Sequence, residues 1–213
     1  MPYPSRNNIS DQIALQLFNI LLQNGVPRNG ENRKFVSLVI TGHPILGVGG
    51  GDIYVATSGN NHGSLVISLT TLTEIFPSFH FTSNPIDQVD NLANARQGAN
   101  FFLPRINAPG GFSVANPPYS INGGRHCAEL RALLSSSTSR IPIVAMSTFW
   151  WGGSDNPYPV LLNQINDPTG INATGILARP CEICMANEQY ICMRVEQSRM
   201  RHRGTGRPME APF

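Results

Sequence analysis

Apolar and polar positions alternate between two periods along this chain. Ile13, Leu15, Leu17, Phe18, Ile20, Leu21 and Leu22 are apolar on more than one face of a 3.6-residue repeat. They predict a buried helix from about Asp11 to Gln23, capped by Ser10 and stopped by Asn24-Gly25. Phe35–Thr41 and Asp52–Thr57 are β-branched runs and read as strands. Between them Gly47-Val48-Gly49-Gly50-Gly51 lacks the Lys-Ser/Thr of a phosphate loop and leads into a strand, so it reads as a hairpin connection. Ser58–Gly63 reads as a turn, and Leu65–Leu69 either continues the sheet or opens an insertion.

From Thr70 to Ser120 the periodicity is poor and Pro, Asn and Gly recur, which predicts a long loop-rich insertion anchored by its phenylalanines. Cys127 to about Leu134 reads as a buried helix closed by Ser135-Ser136-Ser137. Ile141–Phe149 reads as a strand ended by Trp150-Trp151-Gly152-Gly153. A second loop-rich stretch, with a short helix around Val160–Ile165, leads to a helix starting at Cys181. Tyr190–Val195 either prolongs that helix or forms a strand; its residue types favour the strand. The order helix, strand, strand, helix, strand, helix, strand predicts one α/β layered domain over 1–198. Its insertions fall near 70–120 and 152–179, and 199–213 forms a basic, disordered tail.

Composition narrows the class. The chain has 213 residues, of which 41% are hydrophobic and 13% charged, enough for one core of fair size. A net charge of +2 does not by itself announce a nucleic-acid partner. The cations are arginines apart from Lys34, and Arg194, Arg199, Arg201, Arg203 and Arg207 crowd the last segment. Met1–Arg6 has no basic start running into an apolar core, so no signal peptide is expected, and no apolar run is long enough to span a bilayer. No obligate protein partner is implied. All 4 cysteines (Cys127, Cys181, Cys184 and Cys192) lie in the second half. That distribution suits a thiol metal site in a reducing compartment better than a disulfide framework, and the expected location is cytoplasmic.

The chemistry concentrates in His126-Cys127-Ala128-Glu129 and Pro180-Cys181-Glu182-Ile183-Cys184. Three thiolates hold Zn²⁺ and leave its fourth position open, while a nearby carboxylate that is not a ligand moves protons. Cys181 and Cys184, three apart in a first helical turn, share a face. Helix N-termini favour thiolates at all these positions. The alternative from the residues alone is a closed four-ligand zinc site, with His126 or Cys192 as fourth ligand and Glu129 on the surface.

This pairing resembles the zinc-dependent cytidine and nucleic-acid deaminases, whose signature is (His or Cys)-x-Glu followed by Pro-Cys-x-x-Cys. The resemblance is specific at the two motifs and implies a three-layer cytidine-deaminase-like fold, with a central mixed sheet and helices on its faces. It implies Cys127, Cys181 and Cys184 as zinc ligands, and metal-bound hydroxide attacking C4 of cytosine with Glu129 as proton shuttle. Asn60 and Asn61 match a place where family members often contact the nucleotide; ordinary turn chemistry explains them equally well. His126 is then either a group that supports the ligands from behind or a rim residue, and a role without function suits it equally well. Ser147-Thr148-Phe149-Trp150-Trp151 is similar in character to the Ser-Trp-Ser of APOBEC-like editing enzymes, so Trp150 or Trp151 is a candidate base-stacking ring. Burial in the core is the stronger expectation for at least one of them. Arg179, beside the second motif, is a candidate phosphate contact.

The implied substrate is cytosine in a nucleic acid, DNA before RNA, as in toxin-type and editing deaminases. A toxin would be delivered into a target-cell cytoplasm. The Cys-Ala-Glu form is typical of cytidine and blasticidin deaminases, so a free nucleoside is the alternative substrate. A zinc-stabilised binding module without activity is the third reading.

Overall fold

The computed structural model describes residues 3–29, 34–42, 51–58, 63–83, 107–108, 112–113, 127–136, 141–160, 175–181, 184–185, 188, 192 and 195–196. Asn60, Asn61, His126, the glycine-rich connection at 47–50, most of both insertions, the helix expected around 160–165 beyond Val160, and the 199–213 tail lie outside these residues.

Helix α1 spans Asn8–Gln23 and starts three residues earlier than the expected Asp11. Asn7 is the N-cap: its side chain accepts from the Ser10 N–H at 2.8 Å, and Ser10 Oγ accepts from the Asn7 N–H at 3.0 Å. Ser10 thus closes a reciprocal capping box from the N3 position. At the other end Gly25 adopts φ +65°, and Val26 N–H reaches Leu21 C=O while Gly25 N–H reaches Leu22 C=O. This is a Schellman stop, available because glycine enters the left-handed region without strain.

Strand β1 (Lys34–Thr41) pairs antiparallel with β2 (Gly51–Thr57) on one side and with the long strand Ile143–Trp151 on the other. A Cβ on Gly51 would lie 2.0 Å from the Thr41 carbonyl oxygen, so this close approach of backbones needs glycine. Leu65–Leu69 is not strand. It lies in helix α2 (Gly63–Ile75), which packs on α1 and crosses to β3 (Phe79–Ser83), parallel to β2 at the sheet edge. The expected loop-rich insertion therefore begins with ordered structure. The α2 sequence is apolar with β-branched Val66 and Ile67, so its helical period is hidden until α1 offers a surface to cover. A two-residue pair follows, β4 (Asn107–Ala108) with β5 (Phe112–Ser113).

Helix α3 is Ala128–Ser136, β6 is the strand Ile143–Trp151, and β7 (Leu177–Ala178) pairs antiparallel with Thr148 and Phe149. The five-stranded mixed sheet has the order β3-β2-β1-β6-β7. Trp150 and Trp151 continue β6 rather than ending it, since they pair with Phe35 and Lys34. At 190–196 the strand preference is corrected: Cys192, Val195 and Glu196 are helical. Cys184, Cys192 and Val195 are buried in one cluster, and their offsets of eight and three residues repeat at helical, not strand, period.

Alternation along the strands divides the core in two. Val36, Leu38, Ile40, Ile53, Val55, Phe149 and Trp151 face α1 and α2. Val39, Ala56 and Met146 face α3 and the C-terminal helical segment. Helices thus cover both faces of the sheet. Across the first layer, buried Asp11 accepts from Arg6 and from Ser147 Oγ, which also meets Ser10 Oγ at 2.7 Å. This network joins α1 to β6. Asp11→Ala should cost about 2 kcal/mol, because the Ser147 hydroxyl loses its buried carboxylate acceptor while Arg6 keeps access to water. A lowered urea midpoint at unchanged m-value is the expected reading.

Candidate metal centre

Cys127 immediately precedes α3, and its carbonyl accepts the Arg131 N–H at 3.2 Å, opening the first helical turn. Cys181 lies three residues past β7, and its carbonyl accepts the Met185 N–H at 2.9 Å, opening another. Two helix starts thus meet over the second core cluster. They bring the sulfurs of Cys127, Cys181 and Cys184 within 4.8 Å of one another. All three are free thiols; Cys184 is buried, and Cys127 and Cys181 are half-buried.

The donor set fits a metal. Tetrahedral zinc with bonds near 2.3 Å spaces its sulfurs about 3.8 Å apart, so small rotations close the observed triangle. Three sulfurs on two helix starts favour a borderline-soft divalent ion over Mg²⁺ or Ca²⁺. Cys192 lies outside the group and fills the apolar cluster instead, which removes it as the fourth ligand of a closed site. Without metal, the Cys127 and Cys184 thiols are held in their protonated form. The Cys127 thiol is pushed up by its hydrogen bond with Cys181, and then by burial. The Cys184 thiol is pushed up by hydrogen bonds with Cys127 and Cys181, and then by burial.

Glu129 stands in the first turn of α3 and is 4% exposed. Burial pushes its carboxyl up to about 7; a hydrogen bond with backbone opposes this and the Cys181 sulfur adds to it. A carboxyl poised near neutrality beside three convergent thiols is an arrangement that can exchange protons at physiological pH.

The other candidates are placed unevenly. Trp151 is fully buried against Phe18 on the α1 face, with its N–H on the Pro27 carbonyl, and has no face to offer a base. Its candidacy as a stacking ring is therefore corrected: β6 alternation sends it into the core. Trp150 points to the face that carries α3, packs on Phe35 with centroids 4.7 Å apart, and donates to the Ser154 carbonyl. Phe35 also meets Tyr158, and the Arg179 guanidinium lies 5.6 Å over the Tyr158 ring.

Sequence reasoning missed Tyr3 and Arg131. The Tyr3 hydroxyl donates to the Cys184 carbonyl at 2.9 Å, and its N–H donates to the Glu188 carboxylate at 2.7 Å. Arg131 is 1% exposed and donates to the Thr57 carbonyl at 2.8 Å. Neither has a local sequence signal, since both contacts join distant parts of the chain.

Compared with known proteins, the chain matches no family model, no curated protein and no solved structure. Among the described residues no helix is long and apolar enough to cross a membrane.

Two predictions follow from the protonation states. Zinc uptake at pH 7 should release at least two protons, one each from Cys127 and Cys184, and affinity should fall as pH falls; calorimetry in buffers of different ionisation enthalpy counts them. The unfolded chain ionises Glu129 near 4.5, whereas the folded metal-free chain holds that proton to about 7. This contribution is fully present below 4.5 and is lost as pH rises to 7, by about 3 kcal/mol. Glu129→Gln should flatten the decline, as measured by urea unfolding of metal-free protein at pH 5 and pH 8.

Proposed function

We propose that this chain is a zinc-dependent deaminase that converts cytosine to uracil in a nucleic acid, releasing ammonia. The observation that carries the reading is the convergence of three cysteine sulfurs, from two separate helix starts, beside a buried carboxyl held near neutrality. Cys127, Cys181 and Cys184 would hold the ion. Zn²⁺ held there would supply the Lewis acidity that brings the ionisation of water close to neutral pH. As the oxygen of water bonds to C4, Glu129 would take the proton that water loses, deliver it to ring nitrogen N3, and assist the cleavage of the C4–N bond that releases ammonia. Burial of Glu129 serves that task, because an exposed glutamate would be fully ionised and a poor acid at pH 7.

The sheet with helices on both faces and each thiol segment opening a helical turn supports the cytidine-deaminase-like fold that the motifs imply. A polymer substrate is supported by the Arg-rich segment from Arg194 to Arg207. It is also supported by Phe35, Trp150 and Tyr158 with Arg179 beside them, a ring group reached from the face that carries α3. DNA is favoured over RNA within this reading.

Purified protein incubated with single-stranded DNA, duplex DNA, RNA and free cytidine should form uracil in a polymer, read by mass spectrometry of the digested products. Glu129→Ala should lower that rate by about 10²–10⁴-fold while zinc stays bound. Uracil from cytidine alone would move the activity to nucleosides, and bound zinc with no product from any substrate would leave a binding module.

A further inference from the structure

Two different carriers present the three sulfurs. Cys127 rides on α3, which packs on β1 and β2. Cys181 and Cys184 follow β7, a two-residue strand held to β6 on one edge and to the 156–160 segment on the other, where Pro159 bridges Ala178 and the Arg179 N–H donates to the Tyr158 carbonyl at 2.9 Å. These bonds hold the chain as far as Arg179, so the turn that carries Cys181 and Cys184 takes its position relative to α3 from contacts further along.

The segment 3–6 supplies these contacts. The Tyr3 ring is buried in the cluster that holds Val39 and Met146 of the sheet, Leu130 and Leu133 of α3, and Cys184. Its hydroxyl donates to the carbonyl of Cys184 itself, and its N–H donates to Glu188 on the same helical segment. Two residues on, the Ser5 carbonyl accepts the Met146 N–H at 3.3 Å, tying the segment to β6. Arg6 then holds Asp11, whose other partner is Ser147 of the same strand. The segment thus runs from the core of the sheet to the backbone of a metal-site cysteine, with both ends pinned.

We propose that segment 3–6 is a clasp that pre-organises the metal centre, with Tyr3 as its positioning residue; this rests on the three-cysteine centre being a metal site. The physical gain is the usual one of pre-organisation. With the clasp in place, the ion does not have to order the Cys181–Cys184 turn against α3 on binding. Contacts outside the ligand shell of this kind are worth about 10- to 100-fold in metal affinity. The phenol touches neither substrate nor sulfur in this role; it holds the backbone that aims them.

The test uses the full chain, stripped of metal and titrated with Zn²⁺ against a chromophoric chelator, alongside Tyr3→Phe and Glu188→Ala. Circular dichroism establishes that each metal-free variant is folded under the titration conditions. The expected result is zinc binding at least about tenfold weaker in both variants, with a shifted Co²⁺ absorption spectrum reporting a changed arrangement of sulfurs. A merely structural role would lower the urea midpoint without moving either metal readout. Parent-like affinity and an unchanged Co²⁺ spectrum in the folded variants overturn the clasp and leave the metal centre standing. A parent chain that binds no Zn²⁺ overturns the centre itself. Should Tyr3→Phe not fold without metal, Glu188→Ala decides alone.

Discussion

Strand β1 is buried on both faces and hydrogen-bonded on both edges, and the other elements take their places from it. Alternate residues of an extended chain point to opposite sides. Val36, Leu38 and Ile40 must therefore be covered by one layer, and Val39 by another. Helices α1 and α2 fill the first role, and α3 with the C-terminal helical segment fills the second. A shift of β1 by one residue would exchange the two sets and leave both layers mismatched. Cys127, Cys181 and Cys184, which could hold a metal ion, are part of the second layer, so their convergence depends on this register.

The polar groups inside the molecule divide by what satisfies them. Asp11 is surrounded by donors from Arg6 and Ser147, and it fastens a helix to a strand. Thr148 Oγ1 and Ser37 Oγ meet at 3.0 Å across the β1–β6 pair. Those groups are structural, as buried polar groups with partners generally are. Glu129 differs. Its proton affinity is raised because burial disfavours the anion, and nearby sulfur disfavours it further. A group placed at such cost in the first turn of a helix, two residues from a thiol of the cluster, is a candidate for chemistry rather than for stability.

In the metal-free centre the Cys127 and Cys184 thiols favour their neutral forms, and the Glu129 carboxyl is balanced near neutral pH. A divalent cation reverses that balance. Its charge offsets the thiolates it requires and lowers the proton affinity of the carboxyl nearby. Metal binding, proton release and the ionisation of Glu129 are one coupled equilibrium. Tyr3 belongs to the same assembly because its hydroxyl holds the Cys184 backbone on which that equilibrium is built.

Elements with a plain period were legible in the chain. β1 and β2 fall within one residue of expectation, and α3 and β6 within two, because their hydrophobic runs match a single geometry. The grouping of Cys127, Cys181 and Cys184 was legible too, from a spacing that places thiols at helix starts. Helix α2 and the helical state of Cys192 and Val195 were not, since β-branched and apolar residues carry a strand preference that packing overrode. Trp151 illustrates the same limit: its type suits a stacking surface as well as a core, and only the parity of β6 assigns it to the core. The sequence by itself determined which residues can bind metal and move protons, because that is set by side-chain chemistry and local spacing. The tertiary structure decided how those groups are aimed, buried and neutralised. Register, burial and contacts such as Tyr3 with Cys184 arise between parts of the chain that share no local signal.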